Sequence, residues 1–78
     1  MKPIRYSRHA KRRMSERGVS EKEATLTIDD PKFMEQSVKE RKNAYKYMNG
    51  RFLRVTFKEN YDHILVITVT IRKKPFKE

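Results

Sequence analysis

The chain has 78 residues, no cysteine, and 20 Lys plus Arg against 10 Asp plus Glu, a formal net charge of +10. That length gives one small domain whose single core is only just sufficient, and the missing cysteines exclude disulfides, thiolate nucleophiles and cysteine metal ligands. Histidines 9 and 63 without a carboxylate cluster speak against a zinc site, no apolar run nears the roughly 20 residues of a membrane span, and no signal-type segment follows Met1-Lys2-Pro3.

A soluble, cytoplasmic protein without metal or cofactor is therefore expected. The charge steers it towards polyanions, nucleic acid or an acidic protein partner. A membrane surface is a poor match, because neither expected helix has a broad apolar face. The plainer reading of abundant Lys and Glu is a heat-adapted surface. Ion-pair networks need balance, however, and here one sign is in twofold excess.

In chain order, Ile4-Arg5-Tyr6 reads as a short edge strand. Ser7 to Gly18 is a strongly basic helix, with Ser7 placed to cap its first amides and Gly18 to close its last turn in the left-handed region. Ala10 and Met14 form a narrow apolar edge, and His9, Arg13 and Arg17 a second stripe beside it at the same spacing. A second helix starts at Ser20, which stands at capping-box distance from Glu23, with Val19 as the staple. Ala24 and Ile28 mark its inner edge, and Asp29-Asp30-Pro31 ends it.

From Phe33 the period becomes strand-like. Phe33 to Val38 is a strand and Lys39 to Asn43 a charged link. Asn49-Gly50 is a two-residue type I′ turn joining Tyr45–Met48 to Arg51–Lys58. Asn60-Tyr61-Asp62 reverses the chain again. His63 to Ile71, β-branched and apolar on both parities, reads as a buried central strand. Residues 73–78 follow the domain of residues 1–72 as a basic tail.

The turn fixes a register: Met48 opposite Arg51, Tyr47 opposite Phe52, Lys46 opposite Leu53, Tyr45 opposite Arg54, Ala44 opposite Val55. One face then carries Ala44, Met48, Leu53, Val55 and Phe57, with Lys46 and Arg51 as polar intruders. The other interleaves Tyr45, Tyr47 and Phe52 with Arg54, Thr56 and Lys58, a composition suited to stacking bases and neutralising phosphates. Ordinary cross-strand pairing of the same side chains explains it equally well. For Arg13 and Arg17 the alternative is a solvated face paired with Glu16. His9, in a first helical turn among cations, favours a neutral imidazole that near phosphate would serve as general base, or it packs on the sheet. His63 is the other candidate acid or base, or else a structural residue opening its strand.

The run Tyr6-Ser7-x-His9-Ala10-x-x-Arg13-Met14-x-Glu16-Arg17-Gly18-Val19-Ser20, with Asp30-Pro31 and Val66-Ile67-Thr68-Val69 further on, resembles a family of small domains of unknown function. Its hallmark is a His-Ala-x-x-Arg-Met-x-x-Arg-Gly helix, and the likeness spans Ile4 to Ile71. That family is similar to the RelE, ParE and BrnT toxins in size, basicity and element order. The resemblance implies an α+β fold: a short N-terminal strand, then two helices packed on one face of an antiparallel four-stranded sheet.

It also implies a function. RelE-like toxins cleave messenger RNA without metal, often on the ribosome, and are neutralised by antitoxins, so an acidic antitoxin, the ribosome and RNA are the implied partners. Carried onto this chain, His9 or His63 would act as acid or base, Arg13, Arg17, Arg54 and Lys58 would hold phosphates, and Tyr45 or Tyr47 would stack bases. The toxins' catalytic residues lie on the sheet and vary, and no shared sheet motif assigns them here. ParE-like relatives inhibit gyrase and need no ribonuclease site. A non-catalytic nucleic-acid- or protein-binding accessory module with the same fold is the alternative.

Overall fold

The computed structural model describes residues 2–72. Ile4–Tyr6 (β1) leads into the helices Arg8–Arg17 (α1) and Glu21–Asp29 (α2), followed by the strands Phe33–Gln36 (β2), Arg41–Met48 (β3), Arg51–Glu59 (β4) and Ile64–Arg72 (β5). The expected basic tail lies outside the described residues.

Both helices form where their caps place them. Ser7 Oγ accepts from the Ala10 amide at 3.0 Å and donates to the Ile67 carbonyl at 3.1 Å, so one hydroxyl starts α1 and moors it to β5. Gly18, at φ 66°, closes the helix in the left-handed region that a Cβ disfavours. Ser20 and Glu23 complete a reciprocal capping box at the start of α2. Buried Ala10, Met14, Val19, Ala24 and Ile28 then pack against Ala44, Leu53, Val55, Phe57, Ile64, Val66 and Val69 of the sheet. The helices therefore cover one face, the one the hairpin register identifies as apolar.

The sheet itself departs from expectation. It has five strands in the order β1-β5-β4-β3-β2, and β1 pairs with β5 in parallel, so it is mixed rather than four-stranded and antiparallel. Connectivity explains this. The helices carry the chain across one face to the far edge, and three reversals walk β2 to β5 back until β5 lies beside β1. Chain direction makes that last neighbour parallel, a relation that local patterning does not encode.

Two further corrections concern β3 and β5. The supposed link Lys39 to Asn43 divides: Lys39 and Glu40 turn with φ of 56° and 62°, whereas Arg41 to Asn43 open β3. The face of β3 turned away from the helices accommodates polar residues that bond laterally, as Asn43 does to Glu35 and Thr56. β5 is an interior strand as expected, flanked by β1 and β4, although β4 is the middle one of the five. Its apolar residues on both parities arise from a bulge: Thr68 pairs with Thr56 but Val66 with Phe57, leaving Ile67 as the extra residue. The bulge switches parity, so Ile64 and Val66 before it and Val69 after it are buried on the same side.

The Asn49-Gly50 hairpin forms as read, with φ of 53° and 76° at its two turn residues. Its five expected pairs, from Met48–Arg51 to Ala44–Val55, are all present.

Candidate nucleic-acid interface on the open sheet face

Alternation along the strands puts a second set of side chains opposite the helices, and pairing aligns them in rows about 4.8 Å apart along each row. Arg72, Phe52 and Tyr47 form one row; Thr70, Arg54, Tyr45 and Phe33 the next. Thr68, Thr56, Asn43 and Glu35 follow, and then Arg5, Leu65, Lys58 and Arg41. Five cations thus stand on this face against one carboxylate, Glu35, among its described strand residues.

The aromatic residues divide into support and surface. Phe52 is 1% exposed and Tyr45 6%, their rings stacked with centroids 5.6 Å apart. Tyr47, 59% exposed, tilts against Phe52 at 6.2 Å, and Phe33, 40% exposed, tilts against Tyr45 at 5.7 Å. The buried pair provides a floor, and Tyr47 is the most exposed ring of the four. Cross-strand pairing therefore accounts for the buried rings.

Glu35 organises the polar centre. The Tyr45 hydroxyl donates to its Oε2 at 2.6 Å and the Asn43 amide at 3.1 Å, and Asn43 Oδ1 in turn accepts from Thr56 at 2.7 Å. Those two donors hold the Glu35 carboxyl below the ordinary carboxylate value, with Arg54 and Arg72 adding to the effect. Tyr45 is pushed the other way, first by burial and then by its bond to the carboxylate. Among the described residues Arg54 Nε is buried without a hydrogen-bond partner, while the Arg54 guanidinium still acts on the Tyr45 hydroxyl. An unpaired buried donor costs about 1–3 kcal/mol or more, and strand pairing alone gives no reason to carry it.

The residues singled out from the sequence fall into two groups. Tyr45, Tyr47, Arg54 and Lys58 share the open face. His9, Arg13 and Arg17 lie on α1, in the helix layer on the other side. There His9 is exposed, while Arg13 and Arg17 both approach Glu16, at 3.0 and 3.9 Å. His63 sits in the turn before β5, its Nδ1 2.8 Å from Asp62 Oδ1 and its Nε2 3.1 Å from Asn60 Nδ2. That bond to His63 is the first cause holding Asp62 below its ordinary value. The two imidazoles thus stand in separate parts of the molecule.

Arg5, Phe33, Glu35, Arg41, Asn43 and Arg72 were not picked out from the sequence. Each belongs to a strand whose neighbour or length only the fold supplies. Period-two alternation from Phe33 would have marked Phe33 and Glu35 as one face, and pairing with Tyr45 and Asn43 assigns that face to the open side.

No groups of His, Asp or Glu able to hold a metal ion occur among the described residues, and no helix there is long and apolar enough to cross a membrane. The model of one protein family, described as Domain of unknown function (DUF4258), matches residues 6–71. No curated protein and no solved structure matches the chain.

Proposed function

We propose, for a chain that belongs to the DUF4258 family of domains of unknown function, that it is a small basic RNA-interacting protein binding a single-stranded segment across the open face of its sheet. The observation that carries this is the exposed ring of Tyr47 on a sheet face that also carries Arg72 in its own row, Arg54 in the next, and Arg5, Lys58 and Arg41 further along. Unstacked bases need flat faces and their phosphates need cations; both are offered within one surface. A duplex would cover its base faces and use only the cations.

The RelE-like toxin type belongs to the same reading, supported by the opening motif, the net charge and the α+β architecture. An acidic antitoxin would suit the cationic face, and a cytoplasmic, ribosome-associated setting would supply the RNA. Cleavage is the second reading, and the hydrogen bond from His63 Nδ1 to Asp62 favours it. A carboxylate on one ring nitrogen orients the imidazole and leaves the other, Nε2, to exchange a proton with a 2′-hydroxyl once the Asn60 amide moves aside.

The test is a gel shift with end-labelled single-stranded RNA in EDTA over a range of salt. Binding of intact RNA that weakens steeply with salt supports the interface reading. Metal-independent cleavage that is lost in folded His63→Ala supports the catalytic one. RNA that is neither shifted nor cut refutes both.

A further inference from the structure

The turn between β4 and β5 carries an aromatic ring that its own structure does not use. Tyr61 is 96% exposed and makes no hydrogen bond, ion pair or ring contact among the described residues. Its neighbours hold the turn instead. The Asn60 amide donates to the His63 carbonyl at 2.8 Å, Lys2 Nζ donates to the Asn60 carbonyl at 2.8 Å, and the side chains of Asp62 and Asn60 both bond the His63 ring. Turns favour Gly, Asn, Asp or Ser, which bend the chain or bond it, and Tyr61 does neither. A ring with an apolar body and a polar tip suits a surface that receives a partner.

Beside this turn the open face ends in a row of like charges. Arg5, Leu65, Lys58 and Arg41 stand abreast, with Lys58 directly opposite Arg41. Like charges so placed destabilise a sheet, and none of the three cations forms an ion pair among the described residues. A phosphate between them would relieve that repulsion. Lys58 precedes Tyr61 by three residues and Leu65 follows it by four, so the ring is tethered at the end of the row. Arg5 also helps to hold the Asp62 carboxyl below its ordinary value, in keeping with a turn that abuts the row.

We propose that this end of the sheet is a second nucleotide subsite, where Tyr61 stacks a base and the Arg5–Lys58–Arg41 row holds the adjoining phosphates, so that one RNA strand runs lengthwise along the sheet from Tyr47 to Tyr61. This inference rests on the RNA-binding reading and adds the path and length of the bound segment. Tyr47 and Arg41 are six residues apart on β3, about 20 Å at roughly 3.3 Å per residue, and Arg54 stands between the two ends. A stacked strand advances about 3.4 Å per nucleotide and an unstacked one about twice that. Three nucleotides therefore fall short of the span, and eight cover it.

The experiment measures fluorescence anisotropy of labelled oligouridine of three and of eight nucleotides at neutral pH and low salt. The octamer should bind the native protein at least about a hundredfold more tightly than the trimer, because its second contact is made within one complex. Tyr61→Ala removes a ring that touches nothing, so it should melt as the native protein does and bind the octamer about 5- to 150-fold more weakly. Tyr61→Phe keeps the flat face and should stay within about twofold of native. An octamer no tighter than the trimer, native octamer affinity in Tyr61→Ala, or a Tyr61→Phe protein as weak as Tyr61→Ala would each overturn the inference. Octamer binding that Tyr47→Ala weakens and Tyr61→Ala does not would overturn it while leaving the RNA-binding reading intact. Failure of both oligomers to bind would overturn that reading and this one with it.

Discussion

Arg51 Nη2 lies 3.2 Å from Glu23 Oε2, joining the β3–β4 hairpin to the junction of the two helices. The same guanidinium donates to the Arg17 carbonyl at 2.8 Å and the Gly18 carbonyl at 3.1 Å. One side chain thereby satisfies carbonyls at the end of α1, where a cation is also favoured by the helix dipole, and pairs with the capping residue of α2. Its apparent misplacement on the apolar face is what allows this. Replacing Arg51 by Ala should lower stability by about 1–3 kcal/mol, because several charge-assisted bonds are lost together. Arg51→Lys should recover only part, since an ammonium lacks the planar fork. Urea unfolding would show it; an unchanged midpoint for Arg51→Ala would mean that the contacts contribute nothing net.

Glu23 gives this junction a pH dependence. Its backbone bond to Ser20, then its side-chain bond to Asn49 and the nearby Arg51, hold its carboxyl below the ordinary 4.5. Folding therefore favours the ionised form, and the resulting stability is present above pH 4.5 and is lost as pH falls through the lowered value. Glu23→Gln should be less stable than the native protein at neutral pH and lose less on acidification, so that the two melting curves converge below pH 4.5. Thermal melts at neutral and acidic pH would check this, and a constant gap between the two proteins would exclude a role for the Glu23 charge.

Caps and turns were legible because they depend on a few adjacent residues. Ser7, Gly18, the Ser20–Glu23 box and Asn49-Gly50 each specify local dihedral angles, and the hairpin turn then dictates five cross-strand pairs. What stayed hidden depends on long-range connection. Nothing near Ile4 states that its partner is Ile64, and nothing in the run from His63 to Ile71 announces a bulge at Ile67. The site was half legible for the same reason. Tyr47 and Arg54 follow from the hairpin register, whereas Arg5, Arg72 and Glu35 join them only once β1, β5 and β2 have docked.

Arg54 and Lys58 provide the electrostatic prediction. Each phosphate neutralised releases counterions, so removing one contact should reduce the magnitude of the salt slope by about one while weakening all sequences alike. Arg54→Ala and Lys58→Ala should both do so, whereas Arg13→Ala, on the helix layer and paired with Glu16, should leave the slope unchanged. Anisotropy titrations at several salt concentrations decide it. Equal slopes for Arg54→Ala and the native protein would remove the open face from the interface.

The two tyrosines should separate folding from binding. Tyr45 is buried, stacked on Phe52 and bonded to Glu35; truncation to Ala should cost about 3 kcal/mol of stability through the cavity and the stranded carboxylate. Tyr47 is 59% exposed and touches Phe52 from the outside, so Tyr47→Ala should shift the melting temperature little. A base that stacks on this ring loses about 1–3 kcal/mol when the ring goes, roughly a 5- to 150-fold loss of RNA affinity. Measuring melting temperature and RNA affinity on both variants tests the division. A Tyr47→Ala protein that melts early but binds normally would make Tyr47 part of the scaffold and remove it from the stacking surface.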